Sequence, residues 1–183
     1  MKLVLASKSP RRSEILKNAG YEFVVRVADA DETIPEGTSP EDAVVFLAAR
    51  KAMAVERAAD EVVLGADTIV VLDGKILGKP KDRDDAFSML KSLSGRIHSV
   101  FTGVCIIKNG KTMTFAEETQ VEFLPLADKE IYTYIDTNDC YDKAGAYGIQ
   151  GYASKFVRRI NGDYFNVVGL PISAIYEKFF QNP

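Results

Sequence analysis

Histidine is almost absent from this chain: His98 is the only one in 183 residues. Cysteine is nearly as scarce, and Cys105 and Cys140 show no Cys-x-x-Cys spacing. Together these absences exclude the common zinc sites and leave little imidazole for acid–base work. Carboxylates are therefore the leading candidates for a general base. The two cysteines read as reduced cytosolic thiols. Positive charge is also in short supply, with 23 Lys and Arg against 26 Asp and Glu for a net charge of −3. A global basic field of the kind that holds proteins on nucleic acid is excluded, so any anion has to be gripped locally. Neither the GxxxxGK[ST] phosphate loop nor the GxGxxG dinucleotide fingerprint occurs. After Lys2 only Leu3–Ala6 are apolar before polar sequence begins, too short for a signal peptide or a membrane span. A cytoplasmic protein without a membrane partner is the expectation.

What is present suits a single domain over 1–183, with a hydrophobic share of 46% that can build a substantial core. Residues 2–6 read as a buried strand, and Ser9-Pro10 as the capped start of a helix that Gly20 terminates. A second strand is expected over 21–27, an acidic loop over 28–40 and a long helix over 41–59. The β-branched run 62–72 precedes Asp73-Gly74, a two-residue hairpin signal. A second hairpin joins 99–107 to 112–123 through Asn109-Gly110. Helices are expected over 83–93, 128–137 and 171–181, while 138–170, rich in glycine and aromatics, resists assignment. Strands, helices and hairpins in this mixture predict an α/β fold with a mixed sheet and flanking helices.

Several residues sit where local rules disfavour them. The positive end of a helix attracts Asp or Glu, yet Lys8, Arg11 and Arg12 crowd the start at Pro10. Lys51 falls inside the apolar stripe of Val44, Leu47, Ala48, Ala52 and Val55. It either snorkels past a core edge or meets an anionic partner, for which a phosphate is suitable. Asp67 interrupts "VVLGADTIVVL", either as a strand-end residue held by backbone amides or as a functional carboxylate. With Asp73-Gly74 as the turn, Leu72 pairs with Lys75, and extending that register sets Thr68 opposite Lys79. An exposed strand end accounts for Lys79 equally well. Glu32 lies with Asp29 and Asp31 in the acidic loop, and spacing does not separate the three. His98 reads as solvated or hydrogen-bonded. Gln150 stands in "AGAYGIQGYAS", whose glycines let backbone approach a ligand closely. Cations with a few carboxylates, and neither histidine nor a reactive cysteine, suit a Mg²⁺-polyphosphate site.

On these residues the sequence resembles the Maf family of nucleoside triphosphate pyrophosphatases. The matching stretches are "LASKSPRRSEIL", "DE" at 31–32, "LAARKA", "GADTIVVLDGKILGKP", "LSGRIHSVFTGV" and "YDKAGAYGIQGYAS", in order over nearly the whole chain. The resemblance implies a fold similar to inosine triphosphate pyrophosphatases, with two lobes around a cleft. It implies a cytoplasmic homodimer, a divalent metal (Mg²⁺ or Mn²⁺), and hydrolysis of the α–β phosphoanhydride to a monophosphate and pyrophosphate. By the same resemblance Asp67 is the base, and Ser7, Arg11 and Arg12 line the phosphate end. Lys51 and Lys79 counter triphosphate charge, and Glu32 joins Asp67 at the metal. Thr68 and Gln150 resemble the branch acting on dTTP and UTP, with Arg11 contributing to selectivity. A carboxamide such as Gln150 can accept from the N3–H of uracil or thymine and donate to the adjacent carbonyl.

The alternative is a non-catalytic nucleotide-binding regulator of septum formation. The presence of Asp67, Glu32 and both lysines argues against it, because binding alone needs no base.

Overall fold

The computed structural model describes residues 2–181. Its strands are β1 (Lys2–Leu5), β2 (Phe23–Val25), β3 (Glu61–Leu72), β4 (Lys75–Leu77), β5 (Ile97–Lys108), β6 (Lys111–Phe123) and β7 (Val157–Asn161). Its α-helices are α1 (Pro10–Asn18), α2 (Pro40–Ala54), α3 (Arg83–Leu93), α4 (Asp128–Ile135), α5 (Tyr164–Val168) and α6 (Ile172–Ile175). The strands run in the order β2-β1-β3-β5-β6-β7, with β4 on β3. Pairing is parallel for β1 with β2 and β3, and antiparallel for β3 with β4 and β6 with β7. This is the expected mixed α/β sheet with flanking helices. Among the described residues no helix is long and apolar enough to cross a membrane.

The chain forms two compact units, and β3, β5 and β6 each contribute residues to both. The first unit comprises 1–68, 102–117 and 169–183, the second 69–101 and 118–168. In the first, Val4, Val63, Cys105 and Ile107 from the strands and Ala6 just after β1 pack with Ala48, Ala52 and Val55 from α2 and the residue after it. The start of α2 follows from local chemistry. Ser39 Oγ accepts from the Asp42 amide at 3.1 Å, Pro40 takes the first helical position, and Glu41 and Asp42 complement the dipole. The helix closes at Ala54 rather than 59, because Val55 is extended.

Two glycines set how close α2 lies to the sheet. A Cβ on Gly65 of β3 would stand 2.5 Å from the Ala48 carbonyl oxygen and 2.9 Å from Ala52 Cβ. One on Gly103 of β5 would stand 2.2 Å from the backbone of Val44. No side chain fits at either place, so helix backbone rests directly on strand backbone.

In the second unit, Leu90 and Leu93 of α3, Ile131 and Tyr134 of α4, and Val121 and Phe123 of β6 build the larger core. His98 lies within it at 3% exposure. It packs edge-on against Phe123 and Tyr147, and its Nε2 is 2.7 Å from the Tyr147 hydroxyl. The Nδ1 atom has no hydrogen-bond partner among the described residues. Burial holds the imidazole at a pKa of about 4, below its ordinary 6.5.

Both hairpin turns have positive φ at their two central residues, Asp73-Gly74 and Asn109-Gly110, as the sequence predicts. Leu72 does pair with Lys75, but the ladder ends at Val70–Leu77. The expected pairing of Thr68 with Lys79 is therefore absent. The Gly78 carbonyl instead accepts from the Gly145 amide at 3.0 Å, so the chain leaves the ladder there. The strand expected over 21–27 shortens to three residues, and the helix expected over 128–137 to eight. The helix expected over 171–181 divides into α6 and a π-helical turn at Tyr176–Phe180. The unassigned stretch holds 3₁₀ turns at Ala144–Ala146 and Gly151–Phe156, followed by β7 and α5. Its loop is tied by Lys143, whose Nζ lies 2.7 Å from both Asp139 Oδ1 and Asp142 Oδ1.

Replacing Gly65 by Ala should cost about 3 kcal/mol, because the clash is with backbone and cannot be relieved by a rotamer change. Gly78→Ala, which meets nothing within 4 Å, should stay within about 0.5 kcal/mol. Urea unfolding of the two variants checks both values. His98 makes stability depend on acid. The unfolded chain takes up this proton near its ordinary pKa of 6.5, whereas the folded chain holds His98 neutral down to about 4. The contribution is complete above the first value and falls with pH toward the second, by about 3 kcal/mol in all. Urea midpoints measured across that window should show this slope in the unsubstituted protein and its loss in His98→Gln.

Candidate active site

Lys51 occupies the last turn of α2, and the close approach of that helix to β3 sets its side chain against Asp67. Its Nζ lies 2.5 Å from Asp67 Oδ1 and 2.8 Å from Glu32 Oε1. The side chains of Lys51 and Asp67 are 21% and 13% exposed, so the pair is largely shielded from water, whereas Glu32 enters from the exposed loop. One ammonium thus gathers two carboxylates, and the lysine in the apolar stripe has its anionic partners within the protein. Asp31 turns elsewhere. Hydrogen bonds from the Thr33 side chain and from the Thr33 amide at 2.9 Å, and then from Arg50 Nη1 at 2.7 Å, bring its carboxyl down to about 2. Asp31 thus pairs with Arg50 and Glu32 with Lys51, a difference between neighbours that spacing does not show.

Arg12 lies in the first turn of α1 and points inward, with 9% of its surface exposed. Its Nε donates to the Gly169 carbonyl at 2.8 Å, and Nη1 donates to the Ala66 carbonyl at 2.8 Å and to Ser7 Oγ at 3.1 Å. Nη2 donates to Thr68 Oγ1 at 3.1 Å, and that hydroxyl is 2.9 Å from Thr102 Oγ1. Four of the five guanidinium N–H groups are bonded inside the protein. Burial lowers the Arg12 pKa, with the neighbouring charge of Arg11 acting in the same direction; Asp67 and, less strongly, Glu32 oppose them. Ser7 is buried too, and its Oγ accepts from the Ser9 amide at 3.2 Å. Ser9 stands at the cap position, but its side chain makes no capping bond. Arg11 is half-buried and Lys8 exposed.

The first unit thus brings together Ser7, Arg12, Glu32, Lys51, Asp67 and Thr68, and Arg11 also belongs to it. Lys79 and Gln150 belong to the second unit, both exposed. Gln150 precedes a 3₁₀ turn, and its carboxamide makes no capping bond. Thr102 and Gly169 are participants that sequence reasoning missed. Thr102 leaves a trace as a hydroxyl within the apolar run "VFTGVCII". Gly169 leaves none, since its part is a carbonyl oxygen. Burial raises the Cys105 thiol to about 11, which keeps it protonated and inert as a nucleophile.

Comparison with known proteins bears on the fold and the family. The fold resembles that of the Ham1 protein of Staphylococcus aureus, with a TM-score of 0.51 at 16% identity, covering 86% of this chain and 80% of that one. The family model described as "Maf-like protein" matches residues 2–181. The chain belongs to the Maf family. It is 52% identical over 181 residues to the dTTP/UTP pyrophosphatase of Thermoanaerobacter sp. strain X514, covering 97% of this chain and 94% of that relative. It is 50% identical to the dTTP/UTP pyrophosphatase of Bacillus cereus, covering 98% and 95%.

Removing the ammonium leaves Asp67 and Glu32 facing each other without their shared cation. Lys51→Met should lose about 2 kcal/mol of stability near pH 7, between the exposed and fully buried ion-pair cases. Adding Asp67→Asn to the Lys51→Met chain removes one of the two facing charges and should recover part of the loss. Urea unfolding of both variants tests this, and no recovery would contradict the carboxylate repulsion.

Proposed function

We propose that this chain hydrolyses dTTP and UTP to the monophosphate and pyrophosphate, with residues 1–183 acting as one functional domain. The observation that carries the reading is Asp67, a shielded carboxylate held 2.5 Å from Lys51 and grouped with Glu32. Relatives of known substrate at about half identity support the choice of nucleotide. In the proposed reaction the Asp67 carboxylate takes the proton of a water whose oxygen attacks the α-phosphorus. The bond from that phosphorus to the bridging oxygen breaks, and pyrophosphate leaves with the electron pair.

Lys51 and Lys79 counter the charge of the triphosphate. Ser7, Arg11 and the N-terminal amides of α1 receive its phosphates, with the Arg12 charge behind them. Gln150 reads the base edge through its carboxamide. Thr68 acts on selectivity through the shape of the site, since its hydroxyl is bonded to Arg12 and lies against Thr102.

The donor set fits Mg²⁺ or Mn²⁺. No group of three or more metal-ligating side chains occurs among the described residues, but Mg²⁺ is commonly held by one or two carboxylates plus substrate phosphates and water. Glu32 and Asp67, close enough to share one ammonium, would hold it. When bound it would neutralise phosphate charge. The proposed enzyme is a cytoplasmic homodimer with no nucleic-acid partner, in keeping with its net charge of −3.

Pyrophosphate release from a panel of nucleoside triphosphates with Mg²⁺ tests the reading, and dTTP and UTP should be preferred. Asp67→Asn should lower kcat by about a hundredfold or more with a smaller effect on KM. Silence across the panel, with nucleotide still bound, would favour the regulator instead.

A further inference from the structure

Arg12 brackets Asp67. Its Nη1 holds the carbonyl of Ala66, the residue before, and its Nη2 holds the hydroxyl of Thr68, the residue after. On its far side Nε holds the carbonyl of Gly169, 157 residues away in sequence. That contact favours glycine, because Gly169 has φ +122, a backbone conformation that residues with a Cβ rarely adopt. Thr102 of β5 closes the arrangement at 2.9 Å from Thr68 Oγ1. The guanidinium is a rigid planar fork, and here its donors are directed at backbone and hydroxyl acceptors on both flanks of one carboxylate.

We propose that Arg12 is a positioning residue, a strut that sets the backbone of Asp67 through Ala66 and Thr68, rather than a ligand of the substrate phosphates. Four of its N–H groups are committed within the protein, so at most one is left for a phosphate oxygen. Arg11, half-buried beside it, keeps the phosphate role. The two adjacent arginines of "SPRR" thus divide the work, one facing the ligand and one facing the fold. A lysine at 12 would keep the charge but not the fork, since one nitrogen cannot reach acceptors on both sides of Asp67 at once.

This inference rests on Asp67 being the base, and the experiment separates the two. In Arg12→Lys, kcat for dTTP should fall by about a hundredfold while KM stays within about threefold, the pattern of a misplaced reacting group. Affinity for an unhydrolysed α,β-methylene analogue of dTTP, and inhibition by pyrophosphate, should likewise stay within about threefold. A tenfold or greater weakening of both, as expected for a lost phosphate ligand, would overturn the proposal. Thr68→Val removes the flanking acceptor, along with its bond to Thr102, while keeping Arg12, and guards against an unfolded Arg12 variant. It should lower kcat by about tenfold without raising KM, and an unchanged kcat would count against the strut. In the double variant Arg12→Lys with Asp67→Asn, the rate should match that of Asp67→Asn alone, and a further loss of rate would show that Arg12 acts independently of Asp67. If Asp67→Asn alone hydrolyses dTTP normally, the reading of Asp67 fails and the strut with it. If Asp67→Asn is inactive but Arg12→Lys changes only KM, the strut alone fails.

Discussion

The direct contact of the α2 backbone with β3 and β5 is the constraint on which the first unit depends. Gly65 and Gly103 remove the side chains that would hold the layers apart, and Ala48 and Ala52 keep the facing side of the helix thin. At ordinary helix–sheet spacing, side chains would fill that gap. Here the helix lies low enough for Lys51 to end on Asp67 in the middle of β3. The polar group in the strand and the polar group in the helix stripe are therefore one feature. Each makes the burial of the other tolerable, because a largely shielded charge needs its counter-charge at hydrogen-bond distance.

The cations at the start of α1 have a composite explanation. The proposed phosphate-binding role of the helix end would account for Arg11 and for the amides around Ser7. Arg12, one position further along, has rotated into the protein, where carbonyl and hydroxyl oxygens take the place of solvent. Adjacent residues on a helix differ by about a hundred degrees in direction, so two neighbouring arginines naturally face different surroundings.

Features that depend on a few neighbouring residues were legible in advance. Asp73-Gly74 and Asn109-Gly110 announced their hairpins because the turn requires positive φ at both positions, and Ser39-Pro40 marked the start of α2 through its cap. The misfits of Lys51 and Asp67 were visible as misfits, but that they answer each other was not, since it follows from glycine contacts between α2 and β3. Glu32 could not be separated from Asp31 by spacing, because their pairing with Lys51 and Arg50 is made across a loop. The end of the first hairpin was misread for the same reason. Turn chemistry sets its register, but its length is set by Gly145, which takes the Gly78 carbonyl from a distant segment. The 138–168 stretch was opaque because short 3₁₀ turns and the Lys143 knot carry no periodic pattern.

The Gly169 carbonyl has a consequence for how the protein is made. Arg12 leaves the ribosome early, yet one of its acceptors is synthesised 157 residues later. Until then the guanidinium has an incomplete set of partners and every reason to stay hydrated. The hydrogen-bonded surroundings of Asp67 are therefore incomplete until residue 169 has been made, and a nascent fragment lacking it carries the proposed base beside a guanidinium still short of one acceptor.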